Sequence, residues 1–364
     1  MEPNSPVGSA VGEAPPEVAP VRPGEELDWD ALARYLRARL PVVGGFRVLQ
    51  FPNGSANLTY LIQFGEQRLV LRRPPFGHIA PGAHDMHREY KALSKLWRFF
   101  DKAPRAFLLG DDPSVIGSDF LVMEYRAGEV IWGTIPPSMR AHADVGRRVG
   151  LAVVDALAEL HSVDPVAAGL ADLGRPEGFV ERQVAGWKKR WELAAPRGAT
   201  SLMAEVGERL EAAMPRSPRA SVLHNDYKLD NCQFDPADPD RVRSIFDWDM
   251  ATLGDPFVDL GTLLNYWPDP SDTDDDKPIY NPGMESLGLP SRRQVVERYA
   301  LRTGLDVGDV RWYEAFACWK TAVILQQLHT RYLRGETTDE RMATRGDLVP
   351  TQAQRAMSIL DQRV

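Results

Sequence analysis

The 364-residue sequence is short of several things, and each shortage excludes a class of protein. It has 2 cysteines, Cys232 and Cys318, and no C-x-x-C pair, so neither a zinc knuckle nor a disulfide framework is predicted. Both are expected to be buried or half-buried thiols of a reducing compartment. No run approaches the roughly 18 apolar residues of a membrane span. The opening residues "MEPNSPVGSAVGEAPPEVAPVRPGEE" lack the basic start and apolar stretch of a signal peptide. They also carry too little apolar side chain to offset the entropy of ordering. Residues 1–26 are therefore expected to be a disordered tail, and the protein to be cytoplasmic. Positive charge is outnumbered, 43 Lys and Arg against 51 Asp and Glu. A formal net charge of −8 speaks against nucleic acid and an anionic membrane surface as partners, although it leaves room for a local basic pocket.

What is present is ordinary globular material, 43% apolar and 26% charged, in a chain long enough for a large core. Residues 28–40, "DWDALARYLRARL", repeat apolar positions at helical spacing. "FRVLQF", "ANLTYLIQFG" and "QRLVLRR" read as three antiparallel strands separated by turn residues. A helix is expected over 84–98, then two more strands in "RAFLLGDD" and "SDFLVMEY". From about residue 139 the periodicity is helical, over 139–162, 177–195, 200–213, 255–267, 291–303, 308–334 and 338–361. Only "SVLHND" and "RSIFDWD" interrupt it with short extended pieces. The expected fold is α+β, with a small five-stranded lobe at 27–126 and a larger, mostly helical lobe at 127–364.

The densest polar motif is "SVLHNDYKLDNCQFD", residues 221–235, which contains H-x-D-x-x-x-x-N. Phosphoryl transfer needs positioned phosphates, metal ions that neutralise charge, and a carboxylate facing the attacking hydroxyl. Asp226 suits the last task. Asn231, five residues on, can turn back to hold a metal ion, and Lys228 between them can reach a transferring phosphoryl group. A second element, "RSIFDWDMATLGDP", puts Asp247 directly after the apolar pair Ile245-Phe246, where a second metal ligand would sit.

Together these motifs resemble protein-kinase-like folds, and most closely the aminoglycoside phosphotransferase and choline kinase superfamily, over nearly the whole chain beyond the tail. The likeness implies a two-lobed kinase fold, ATP and Mg²⁺ as cofactors, and a set of nucleotide-binding residues. "FPNGSANLTYLI" stands where the phosphate-covering hairpin belongs, implying contacts from Gly54, Ser55, Ala56 and Asn57, although G-x-G-x-x-G is missing. "LVLRR" places Arg72, or in the other register Arg73, at the position of the phosphate-binding lysine. Glu89 would be its helix partner. "FLVMEYRAGE" resembles the hinge, implying Met123 against the base and main-chain contacts from Glu124 and Arg126. His224 and Asp259 would order the catalytic loop. Asp249 is left open between assisting the metal and a cap or salt bridge, and Asp230 reads as a surface charge.

Only residues 248–258 separate Asp247 from Asp259, which leaves no room for a peptide-docking segment, so a small-molecule acceptor is expected. The likeness of "GSANLTYLI", "VLRRPPFG", "HDMHREY" and "FDWDMATLGDP" to kinase-like domains fused to acyl-CoA dehydrogenases implies a hydroxyl on a hydroxyacyl-CoA-like metabolite. The alternatives are an aminoglycoside bound by the acidic run Asp269–Asp276, and an amino alcohol caged by aromatics such as Tyr266, Trp267, Trp312, Tyr313 and Trp319. From another class comes a nucleotide-binding scaffold without catalysis. The acceptor pocket is expected to draw on 177–195, 266–282 and 308–330, with Trp267 and one of Lys188, Lys189 and Arg190 near its wall.

Overall fold

The computed structural model describes residues 18–52, 57–77, 84–196, 201–273, 279, 281–337 and 339–362. They form two compact units. One comprises the described residues up to Ala127 together with Ser244–Ala251; the other comprises Gly128–Arg243 and the described residues from Thr252 onward.

In the first unit, helix α1 (Trp29–Arg37) precedes strands β1 (Phe46–Gln50), β2 (Leu58–Phe64) and β3 (Gln67–Arg73). Helix α2 (Met86–Leu96), β4 (Ala106–Gly110), the single turn α3 (Pro113–Ile116) and β5 (Phe120–Glu124) complete it. The sheet is antiparallel with order β1-β2-β3-β5-β4. Gly65 takes φ +55° in the two-residue loop between β2 and β3, the left-handed geometry a tight hairpin needs at that place. Asp28 caps α1 by accepting the Ala31 N–H at 2.8 Å. Leu32 and Leu36 of α1 share an apolar cluster with Tyr60, Ile62, Phe64, Leu69, Leu71, Phe120 and Val122. Side chains alternate across a strand, so with Leu69 and Leu71 in this cluster, Arg72 emerges on the opposite face and Arg73 on the clustered one.

Residues 18–26 depart from the expected tail. Ala19 bridges Gln50 on the sheet edge, the Arg22 N–H donates to Gln50 Oε1 at 2.8 Å, and the buried Tyr60 hydroxyl donates to Glu25 O at 2.7 Å. An edge strand with unpaired backbone groups, and a buried hydroxyl in need of an acceptor, recruit a segment whose own composition would leave it loose.

The second unit contains β6 (Glu129–Val130), α4 (Val145–His161), α5 (Phe179–Ala194), α6 (Ser201–Ala212), β7 (Ser221–Leu223), β8 (Cys232–Asp235), β9 (Asp238–Ile245), β10 (Thr252–Gly254), α7 (Phe257–Asn265), α8 (Arg292–Thr303), α9 (Val310–Leu333) and α10 (Val349–Asp361). The β9 strand crosses into the first unit at Ser244. Its short strands pair as β7 with β10 and in the order β6-β8-β9. The expected helix over 338–361 starts late: α10 begins at Val349, after 3₁₀ turns at Glu340–Met342 and Arg345–Leu348. Helix α9 is apolar around most of its circumference and packs against α5, α6, α7 and α10, which makes it the axis of the helical core. A methyl group on Gly261 of α7 would lie 2.4 Å from the Tyr313 carbonyl oxygen of α9, so only glycine permits this helix spacing.

The segment carrying Asp247 belongs to the first unit, not to the helical lobe where it was expected. The Ile245 N–H donates to Lys102 O at 2.8 Å, and Trp248 is buried edge-on to Phe100. Local hydrogen bonding and one large aromatic decide the matter over chain order.

Candidate active site

The catalytic-loop candidates lie between β7 and β8, both short and buried. Tyr227 anchors the loop from below: it is fully buried and its hydroxyl donates to Val153 O at 2.7 Å. Asp259, at the start of α7, holds the loop from the side. Its Oδ2 accepts the His224 N–H at 2.7 Å and its Oδ1 the Asn225 N–H at 2.6 Å. His161, which sequence reasoning missed, lies 3.2 Å from the same Oδ2 and 2.7 Å from the Tyr299 hydroxyl. Burial opposes the Asp259 charge, but its bonds to His161 and the nearby His224 outweigh it and hold the carboxyl below the usual range. Asn225 takes φ 69°. Left-handed backbone is uncommon outside glycine, and asparagine tolerates it better than most residues.

Asn231 turns back on Asp226: its Nδ2 donates to Asp226 O at 2.8 Å and Asp226 Oδ2 at 3.3 Å. Its amide nitrogen is thereby used, and the carbonyl oxygen is the group that can ligate a cation. Lys228 Nζ lies 3.2 Å from Asp226 Oδ2 and 5.5 Å from the Tyr266 ring centroid. Burial works against the Lys228 charge; Asp226 and Asp230 outweigh it and keep the ammonium well above its ordinary value. Asp230 is no surface charge. It is half-buried, accepts from Asn281 Nδ2 at 3.3 Å, and burial raises its carboxyl. A carboxylate carrying one ammonium and one amide on a braced loop can orient a hydroxyl and accept its proton.

The second constellation lies in the first unit, where Arg72 meets three carboxylates. Its Nη2 is hydrogen-bonded to Asp247 Oδ1 and lies 3.8 Å from Asp249 Oδ2; its Nε lies 3.1 Å from Glu89 Oε2. Arg73, the other register, donates to the carbonyls of Pro74 and Ile116 instead of meeting these carboxylates. Burial opposes the Arg72 charge, yet Asp247, Glu89 and Asp249 together raise it further above its ordinary value. Glu89 goes the other way for a carboxylate: burial pushes it up to about 7 despite the pull of Arg72. Burial outweighs the ion pair for Glu89, which is 1% exposed. Moreover, Arg72 Nε and Glu89 Oε2 are misaligned, so neither atom has a hydrogen-bond partner among the described residues.

Asp247 adopts φ 70°, the second left-handed residue at a chemical position. Asp249 accepts from Asn57 Nδ2 at 3.2 Å, and His84 Nδ1 lies 2.9 Å from Asn57 Oδ1. Burial and then Asp247 raise the Asp249 carboxyl. Gly54, Ser55 and Ala56 lie outside the described residues. Met123 is buried in β5. Glu124 and Arg126 pair with each other at 2.9 Å, and Arg126 also donates to Asp101 O, so neither charge is spare for a ligand.

Among the described residues no group of three or more His, Cys, Asp or Glu side chains forms a metal cage. Magnesium does not need one, since it keeps waters and takes phosphate oxygens with one or two carboxylates. The half-exposed Asp247 carboxylate and the Asn231 carbonyl are hard oxygen donors of that kind, and the Arg72 guanidinium at Asp247 marks it as a place that stabilises positive charge. The donor chemistry fits.

Several expected acceptor-site residues are elsewhere. Trp267, Trp312 and Trp319 donate to the carbonyls of Pro290, Leu210 and Met203 inside the core, and Tyr313 is fully buried, so they are no aromatic cage. Lys188 pairs with Glu211 at 2.8 Å on the surface. Asp269 accepts the Arg292 N–H and Asp272 pairs with the Arg292 guanidinium. Arg190 instead stacks on the Trp187 ring, 4.4 Å from its centroid, with no carboxylate within 4.0 Å among the described residues. Lys320 lies 5.7 Å from the same ring centroid. Its signal was legible: it is the lone charge in "AFACWKTAVIL", residues 315–325.

Residues 47–288 match the model of the phosphotransferase enzyme family. This chain belongs to that family. Its relatives include mouse acyl-CoA dehydrogenase family member 10, 31% identical over 94% of this chain and 32% of the mouse protein. Rat acyl-CoA dehydrogenase family member 11 is 32% identical over 88% of this chain and 42% of its own length. The chain thus spans about a third to just under half of the curated relatives it matches. Among solved structures, a "putative aminoglycoside phosphotransferase" of Ralstonia eutropha superposes with TM-score 0.76 at 28% identity, covering 92% of this chain and 98% of the other. A hygromycin-bound aminoglycoside phosphotransferase, APH(4)-Ia, shares the fold with TM-score 0.58 at 15% identity, covering 91% of this chain and 98% of its own. The family member described here is α+β and kinase-like: a five-stranded antiparallel unit with one long helix beside its sheet, and a larger, mostly helical unit. No helix among its described residues is long and apolar enough to cross a membrane.

Proposed function

We propose that this phosphotransferase is an ATP-dependent kinase of a small-molecule hydroxyl, with a hydroxyacyl-CoA-like metabolite as acceptor. The observation that carries the reading is Asp226: a carboxylate on a loop pinned by Asp259 and Tyr227, with Lys228 and Asn231 on its oxygens. Asp226 orients the acceptor hydroxyl and takes its proton. The hydroxyl oxygen bonds to the γ-phosphorus, the bond to the bridging oxygen breaks, and ADP leaves. Lys228 offsets charge on the transferring group. Asp247 and Asn231 would each offer an oxygen to Mg²⁺, which would neutralise the phosphates; Arg72, held by Asp247, would contact them directly. Asn57 and the main chain at Met123, Glu124 and Arg126 bind the nucleotide.

For the acceptor, charge favours the acyl thioester over a polycation. Among the described residues Arg190 is a cation without a carboxylate within 4.0 Å, whereas Asp269 and Asp272 are committed to Arg292; Asp274, Asp275 and Asp276 of the acidic run lie outside the described residues. The names of the relatives point the same way, since they belong to acyl-CoA dehydrogenase family members. The test is an acceptor screen across hydroxyacyl-CoAs, aminoglycosides and amino alcohols with Mg·ATP, on wild type and Asp226→Asn. General-base and orienting roles are worth roughly 10²–10⁴-fold in rate. Near-normal turnover by the variant would sink the assignment. No Mg-dependent ATP turnover by wild type would favour a nucleotide-binding scaffold.

A further inference from the structure

A lysine that no motif accounts for sits beneath the catalytic loop. Lys320 of α9 is 6% exposed, so its ammonium is almost wholly withdrawn from water. Among the described residues it has no carboxylate within 4.0 Å; its Nζ donates to Asn225 O at 3.2 Å and lies near the Trp187 ring. Burial pushes the ammonium below its ordinary range, Asp226 and Asp259 pull it back, and Arg190 and Lys228 add to the burial. A packing role alone would be served better by an apolar side chain, because an unpaired buried charge is costly.

The carbonyl it holds explains the charge. Asn225 takes the left-handed φ of 69°, and Asp226 follows it directly. The peptide before Asn225 is fixed by its N–H, which donates to Asp259 Oδ1 at 2.6 Å. The peptide after it has its N–H, that of Asp226, on His224 Nδ1 at 3.3 Å, and its carbonyl on Lys320. Both peptide planes flanking the uncommon torsion are thus pinned, one by α7 and the other by α9. Without Lys320 the carbonyl of that plane loses this donor, and the bond on its N–H, to His224, is the longer one.

We propose that Lys320 is a positioning residue for phosphoryl transfer, clamping the Asn225–Asp226 peptide so that the Asp226 carboxylate stays aimed at the acceptor. The inference rests on the role given to Asp226. It requires two donor properties, reach and a proton to give, and both are chemical features of an ammonium that a guanidinium partly reproduces. The test compares Lys320→Met with Lys320→Arg, using Mg·ATP hydrolysis with water as acceptor, alongside amide hydrogen exchange of residues 224–227 in the nucleotide-free protein. Lys320→Met is expected to lower kcat about 10–100-fold, the usual cost of a misplacement near 1 Å, with the KM for ATP changed less than about threefold. Its melting temperature should hold or rise, since a buried charge has been removed, while the 224–227 amides exchange at least about tenfold faster. Lys320→Arg should recover part of the rate and the protection. A merely structural lysine would do the opposite, lowering the melting temperature and leaving kcat per folded molecule unchanged, and that result overturns the proposal. Unchanged kcat in Lys320→Met while Asp226→Asn is inactive overturns it alone; normal hydrolysis by Asp226→Asn overturns the kinase reading beneath it.

Discussion

The Arg72–Glu89 pair looks like a stabilising buried salt bridge, but burial works against the Glu89 charge at neutral pH. Glu89 moves from an ordinary 4.5 to about 7 because burial penalises its charge more than Arg72 favours it. At about 1.4 kcal/mol per pH unit, ionising Glu89 at pH 7.5 costs the fold on the order of 2–3 kcal/mol. The sign follows from a raised acid. Below pH 4.5 the carboxyl is protonated folded and unfolded, and the contribution is fully present. Between 4.5 and about 7 the unfolded chain loses its proton first, and stability declines as pH rises. Glu89→Gln keeps the shape, removes the charge, and leaves Arg72 with Asp247 and Asp249. The variant should therefore match or exceed wild-type stability at pH 7.5 by up to about 2 kcal/mol, and the difference should shrink toward zero near pH 4.5. Taking the difference cancels the distant raised carboxyls, Asp230 and Asp255. Urea unfolding by tryptophan fluorescence at several pH values reads it directly. A difference that stays flat from pH 5 to 8, or a variant less stable than wild type by several kcal/mol at pH 7.5, refutes the reasoning.

A metal test separates Asp247 from Asn231. Residues that only support a metal ligand are worth roughly 10–100-fold in affinity, so removing the charged ligand in Asp247→Ala should weaken Mg·ATP analogue binding by more than that, and Asn231→Ala by less; titration calorimetry gives both, and equal small losses would contradict the assignment. Gly261→Ala forces a methyl against the Tyr313 carbonyl at 2.4 Å, and overpacking of this kind costs about 1–3 kcal/mol or more; an unchanged melting temperature would mean that α7 and α9 yield more easily than their packing implies. Cys232 and Cys318 are buried, with thiols pushed up by burial to about 12 and about 11, so neither should react with iodoacetamide at pH 8 in the native protein. Rapid native alkylation would show that the loop at Asn231 opens readily.

Much of this was legible because it is local. Strand alternation around Leu69 and Leu71, the helical spacing of Leu32 and Leu36, and H-x-D-x-x-x-x-N are all patterns within a dozen residues. What stayed hidden is what long-range packing decides. Nothing near residue 247 in sequence tells that its segment joins the unit of Arg72, since that depends on Lys102 O and Phe100. Trp267 reads equally well as a pocket wall or as core until its indole finds Pro290 O. His161 carries no local mark, because its partners Asp259 and Tyr299 are each about a hundred residues or more away. Lys320 was marked by its apolar surroundings, but its partner carbonyl could not be read from them.

The spacing of α7 and α9 has one more consequence. Asp259 rides on the first helix and Lys320 on the second, and the close approach at Gly261 fixes the gap between them. The loop that bears Asp226 is therefore calibrated from inside the helical core. Changes in core volume that never touch solvent should appear as rate defects, and a mutagenesis library confined to the loop would sample only one jaw of the instrument that sets its aim.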